Sequence, residues 1–158
     1  MTRLSLRHGG RVLAALAVLG VASPAALSAA EIRLRLVVNH DDTVVSDHVR
    51  RLERAIKNGS GPLVVVESLS EAHILLDFTA YRRSVDDKGE PLRWLFGQAK
   101  LLKRPDGMTL SGPLPERFGL LAIGEDGKDE GERAAKLLEQ MLSKTLRPKA
   151  RPVPKEAI

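Results

Sequence analysis

Between His73 and Arg83 the chain sets Ile74, Leu76, Phe78 and Ala80 at every second position. Side chains of a strand alternate between the two faces of a sheet. The run therefore predicts one wholly apolar face and one mixed face of His73, Leu75, Asp77, Thr79 and Tyr81. Asp86-Asp87-Lys88-Gly89 turns the chain, and Leu92 to Lys103 returns as a partner strand with Leu92, Trp94 and Phe96 on one face. A hairpin with an apolar side has to be covered, and the cover is legible further on. Ala134, Leu137, Leu138, Met141 and Leu142 recur at helical spacing from about Asp129 to Thr145, with acids in the first turn and Lys144 and Arg147 closing it.

The other segments fit round this pair. Ile32, Leu34, Leu36 and Val38 alternate with Arg33, Arg35 and Val37 and predict a half-buried strand. A helix follows, with Ser46 as N-cap, Val49, Leu52, Ala55 and Ile56 as its apolar face, and Gly59 as a left-handed stop. Leu63–Val66 reads as a short buried strand, Met108–Leu110 as another after the turn Pro105-Asp106-Gly107, and Phe118–Ile123 as a short strand or buried connector. The expected fold class is α+β: a single mixed, mostly antiparallel sheet in the order β-α-β-β-β-β-α, with two helices packed on one face.

Residues 1–30 stand apart. Arg3, Arg7 and Arg11 precede an apolar run from Val12 to Ala22, and Ser28-Ala29-Ala30 supplies the small residues of a cleavage site. That is the layout of a secretory signal peptide, and the run is shorter than the ~20 apolar residues that span a bilayer. The expected organisation is a signal peptide at 1–30, one domain at 31–146 and a basic, proline-rich tail at 147–158. No transmembrane span is expected once the leader is removed, and the expected location is periplasmic or secreted. The chain has no cysteine, so an exported domain of this sequence holds together by packing without disulfides. The formal charge of +5 also belongs to the ends. Glu31 to Ser143 carries 17 basic and 19 acidic residues, which gives no basic body for a nucleic-acid partner.

Chemistry-bearing motifs are scarce. His40, Asp41, Asp42, Asp47 and His48 crowd the junction between the first strand and the first helix. Imidazole and carboxylate are metal ligands, so an alternative reading makes His40, Asp42 and His48 the site of a metal-dependent hydrolase or metal-binding protein, although no metalloprotease spacing accompanies them. The glycines at 124, 127 and 131 sit among acids that repel phosphate, which favours a solvated turn. No cofactor is expected, and no serine is tied by motif to a histidine. Asp77 either points into water from an uncovered sheet face or needs a partner such as Arg93 or Lys100. Asp77, Tyr81 and Trp94 on the hairpin, with Lys149 and Arg151 in the tail, are the candidate interaction residues.

Ser70-Glu71-Ala72-His73-Ile74-Leu75-Leu76-Asp77-Phe78-Thr79, the turn Arg104-Pro105-Asp106-Gly107 and the terminal amphipathic helix resemble small exported α+β domains. Those domains are of the type seen in the amino-terminal domain of TolB and in CsgG- or LpoB-like periplasmic proteins. His73 stands where those families carry an acid, and their lipid-anchoring cysteine has no counterpart here. The resemblance implies a non-catalytic envelope module that binds other proteins. The expectation is thus an exported binding or assembly module, not an enzyme, with an envelope protein as its partner.

Overall fold

A computed structural model describes residues 30–38, 41–123 and 127–150, with the side chains at 122–123 and 127–129 left aside. The leader up to residue 29, His40, and Arg151 with the rest of the tail lie outside the described residues. The elements are β1 (Ile32–Val38), α1 (Thr43–Asn58), β2 (Leu63–Val65), β3 (Ile74–Val85), β4 (Pro91–Leu101), β5 (Met108–Leu110), β6 (Arg117–Ile123), α2 (Gly127–Thr145) and β7 (Leu146–Pro148).

The fold is α+β, with five strands in one mixed sheet in the order β2-β1-β3-β4-β6. β1 pairs in parallel with both β2 and β3, and α1 supplies the crossover from β1 to β2. β3 and β4 form the long antiparallel hairpin, and β6 pairs antiparallel with β4. The Asp86 carboxylate holds the turn, accepting from the backbone N–H groups of Lys88 and Glu90, and Gly89 takes a positive φ of 78°.

Both helices cover one face, where Ile32, Leu34, Ile74, Leu76, Phe78, Leu95, Phe118 and Leu120 meet Val45, Val49, Leu52 and Ile56 of α1 and Ala134, Leu138 and Leu142 of α2. Two aromatic rings, Phe78 and Phe118, pack edge to face at 5.7 Å within this layer.

The expected single sheet is joined by a second. β5 leaves the main sheet and pairs with β7, which takes Leu146, Arg147 and Pro148 into a strand at the very start of the expected tail. The pairing follows from burial: Met108 and Leu146 are both in the core, 5% and 2% exposed. It also places Ser111 to cap α2. The Ser111 N–H and hydroxyl donate to the Thr145 carbonyl, and the hydroxyl lies 2.7 Å from the Lys144 carbonyl, satisfying groups that a helix end leaves bare.

The start and stop of α1 also differ from expectation. Asp42, not Ser46, is the N-cap: its Oδ1 accepts from Val44 N at 2.9 Å and Val45 N at 3.2 Å. The helix therefore begins one turn earlier and Val45 joins its apolar face. Gly59 closes it in an extended conformation (φ −82°, ψ 163°) rather than a left-handed one, its N–H donating to the Ile56 carbonyl.

Candidate functional site

β3 contains a β-bulge that alternation alone does not foresee. Phe78 lies opposite Gly97 but Ala80 lies opposite Phe96, so Thr79 is an extra residue and the faces exchange beyond it. Asp77 remains on the face away from the helices, but Tyr81, expected beside it, turns to the helix side. There Tyr81 stacks on His48 of α1, with ring centroids 3.7 Å apart and planes 13° from parallel.

His48 leads to a buried polar tie. Its Nδ1 is 3.2 Å from Oε1 of Glu130, whose side chain is 9% exposed. Oε2 of the same carboxylate lies 3.6 Å from a guanidinium nitrogen of Arg51 and 3.5 Å from one of Arg93. Burial lowers the pKa of His48 below its ordinary value; Glu130 opposes this, and Arg51, Arg93 and Arg83 add to the lowering. At neutral pH the ring is therefore uncharged, with Nδ1 facing the Glu130 carboxylate. The void beside the carboxylate measures about 10 Å³, room for a single water. The Tyr81 hydroxyl is buried without a hydrogen-bond partner among the described residues. This arrangement ties α1 and α2 to the sheet through charge.

Glu130 was legible only as one acid of a solvated first turn. A better signal was available: 130, 134, 138 and 142 are spaced by four, so Glu130 extends the apolar stripe of α2 into the core. Gly131 is its companion, because an added Cβ there would lie 2.7 Å from the Arg51 carbonyl oxygen. The helices approach that closely.

Of the metal candidates His40, Asp42 and His48, the first lies outside the described residues. Asp42 spends its Oδ1 on the helix cap and His48 is held between Tyr81 and Glu130. Among the described residues no three His, Asp or Glu side chains are grouped to hold an ion. His73 is buried, and its Nδ1 accepts the Arg33 N–H at 3.0 Å, continuing the β1–β3 ladder with a side chain. Burial lowers its pKa, with Lys103 and Arg33 adding to the effect.

The uncovered face carries a different chemistry. Trp94 and Phe96 of β4 stack there, 5.9 Å between centroids and 13° from parallel. The Trp94 indole donates to the Ser84 hydroxyl at 3.2 Å, and the pair lies over Gly119 of β6, where a Cβ would meet Phe96 at 3.0 Å. Leu92 and Leu121 are half-buried beside them. Neither helix covers this layer, so Trp94 packs outside the core. Round it the alternation places Arg33, Arg35, Arg82, Lys100 and Arg117, with Asp77 half-buried among them. Arg93, named as a possible partner for Asp77, lies on the helix side beside Glu130. Lys149 is exposed just after β7.

No family model matches the chain, and no curated protein matches it in sequence. Among solved structures it is similar to a minor lipoprotein from Acinetobacter baumannii, known at 2.35 Å. The match has 16% identity and a TM-score of 0.39, and covers 77% of this chain and 97% of that one. Similarity at that level fixes neither family nor function. Among the described residues no helix is long and apolar enough to cross a membrane.

Proposed function

We propose that the chain is an exported, non-catalytic binding and assembly module of a bacterial-type cell envelope, working through protein contacts made by the uncovered sheet face. The observation that carries the reading is the Trp94–Phe96 stack on the side away from both helices. Aromatic side chains bring large contact area at low entropic cost and dominate interface energetics. Here they contribute nothing to the helix-covered core, so packing does not explain them. The basic, apolar and small-residue blocks of residues 1–30 support export, and the resemblance to envelope domains points the same way.

The test is photo-crosslinking in cells from a reactive amino acid at Leu92, beside the stack. The expected result is one discrete envelope-protein adduct that is lost in Trp94→Ala/Phe96→Ala, while the amino terminus of the purified protein starts near Glu31. An adduct pattern indifferent to the aromatic pair, or a full-length cytosolic protein, would overturn the reading.

A further inference from the structure

β6 is the outer strand of the main sheet, seven residues long, and among the described residues no strand pairs with its far side. Its hydrogen-bonding parity follows from one contact. The Ala99 N–H donates to the Glu116 carbonyl, so residues 116, 118 and 120 face β4. Antiparallel bonding alternates, and Arg117, Gly119, Leu121 and Ile123 therefore direct their backbone N–H and C=O groups to the open edge. An edge of that length is a template for another strand unless something blunts it, and this one holds no proline.

The edge does not stand in bare solvent. Beside it runs a groove of about 450 Å³, lined by Leu121 of β6 and by Arg133, Lys136, Leu137 and Gln140 of α2. Its floor is apolar, and among the described residues its charged lining is cationic. The larger groove between α1 and α2, about 630 Å³, sets Arg51, Arg54 and Lys136 beside Glu132 and Glu139, so carboxylates already line it with the cations. A second copy of the chain added through β6 would set Arg133 and Lys136 of both molecules against each other across a two-fold axis, which like charges oppose.

We infer that β6 receives an extended acidic segment of a partner protein by strand addition, its apolar side chains seated between Leu121 and Leu137 and its carboxylates facing Arg133 and Lys136. Main-chain hydrogen bonds supply the attachment and the groove supplies the choice of side chain. This surface adjoins the Trp94–Phe96 stack at Leu121, but its attachment rests on the β6 backbone and on Arg133 and Lys136 of α2, which the stack does not supply.

The probe is a labelled nine-residue peptide of alternating glutamate and valine, blocked at both ends, titrated into the purified protein at low salt beside a lysine–valine counterpart. The acidic peptide is expected to bind and the basic one not. Arg133→Glu/Lys136→Glu, on the exposed side of α2, is expected to weaken binding about tenfold, whereas Lys100→Glu, an exposed charge reversal on β4 outside the groove, leaves it unchanged. Amide exchange supplies the structural readout: the amides of Gly119 and Leu121 slow on binding, while those of Phe118 and Leu120, already bonded to β4, do not. Equal binding of both peptides, binding without protection of Gly119 and Leu121, or no binding of the acidic peptide at millimolar concentration would each overturn the inference.

Discussion

Gly131→Ala separates packing from helix propensity, because the two require opposite signs. Gly131 lies inside α2, where glycine is about 1 kcal/mol less favourable than alanine, so propensity alone makes the substitution stabilising. The geometry says otherwise. A Cβ at 131 would lie 2.7 Å from the carbonyl oxygen of Arg51 and 3.0 Å from its carbonyl carbon, and both belong to the backbone of α1. No rotamer change moves those atoms; the helices must separate. Overpacking of this kind costs about 1–3 kcal/mol, with a rigid neighbour at the upper end. Separation also draws His48 and Arg51 away from Glu130, which now sit 3.2 and 3.6 Å from it. The net expectation is a loss of about 1–2 kcal/mol, a fall in Tm of about 4–8 °C for a domain of this size. Urea and thermal unfolding followed by circular dichroism measure it, with Gly112→Ala as control, since nothing lies within 4 Å of a Cβ there. A Gly131→Ala protein that melts higher than the parent would refute the close approach of the two helices.

Three further outcomes test the remaining local arguments. Asp42→Ala is expected to lose about 1 kcal/mol in urea unfolding as the α1 cap is removed, and Asp42→Asn to retain most of it, since an amide oxygen caps as well as a carboxylate; equal losses would reject the capping role. Glu130→Leu leaves Arg93, only 18% exposed, without this counter-ion and is expected to cost about 2–3 kcal/mol, with Glu130→Leu/Arg93→Leu recovering part of it; a neutral single variant would dismiss the tie. His48 and His73 both have lowered pKa values in the fold, so protonation favours the unfolded chain. Their contribution is complete above the unfolded value near 6.5 and is lost as pH falls below it, so the urea midpoint is expected to drop from pH 7.5 to pH 5.5, and less so in His73→Gln, whose amide still accepts from Arg33 N–H. An unchanged pH slope in that variant would show that His73 is not the source.

What the sequence made legible is what repeats. Periods of two and of near four located β1, β3, β4 and both helices, because burial acts on each residue of a run in the same way, whereas β2 showed as a β-branched run and β6 stayed open between strand and connector. The sequence could not locate single-residue events. The bulge at Thr79 leaves no signature, since threonine suits a regular strand equally well. The cap moved from Ser46 to Asp42 because both residues cap well and only the tertiary position of Val45 decides between them. The departure of β5 into a second sheet depends on where the end of α2 delivers Leu146, a non-local fact. Glu130 was missed because a charged residue on an apolar stripe looks like the end of the stripe until its partners are known to converge from α1 and β4.

These single-residue events are linked. Before the bulge, β3 directs Ile74, Leu76 and Phe78 into the core and leaves Leu75 and Asp77 outside. Had the alternation continued, Ala80 would have followed Phe78 inward, and Tyr81 would have pointed away from His48. One extra residue reverses both. Tyr81 goes in, where its ring lies against the imidazole that Glu130 contacts. Ala80, the small residue, goes out opposite Phe96, leaving space for a flat aromatic pair that also rests on Gly119. The same irregularity thus closes the polar tie on the inner side and clears the aromatic surface on the outer one. A bulge costs ladder hydrogen bonds, and a strand interior tolerates that loss where both faces gain by it. The outer face is therefore better read as a built surface than as residual hydrophobicity, because its smallest members, Ala80 and Gly119, lie beneath its largest.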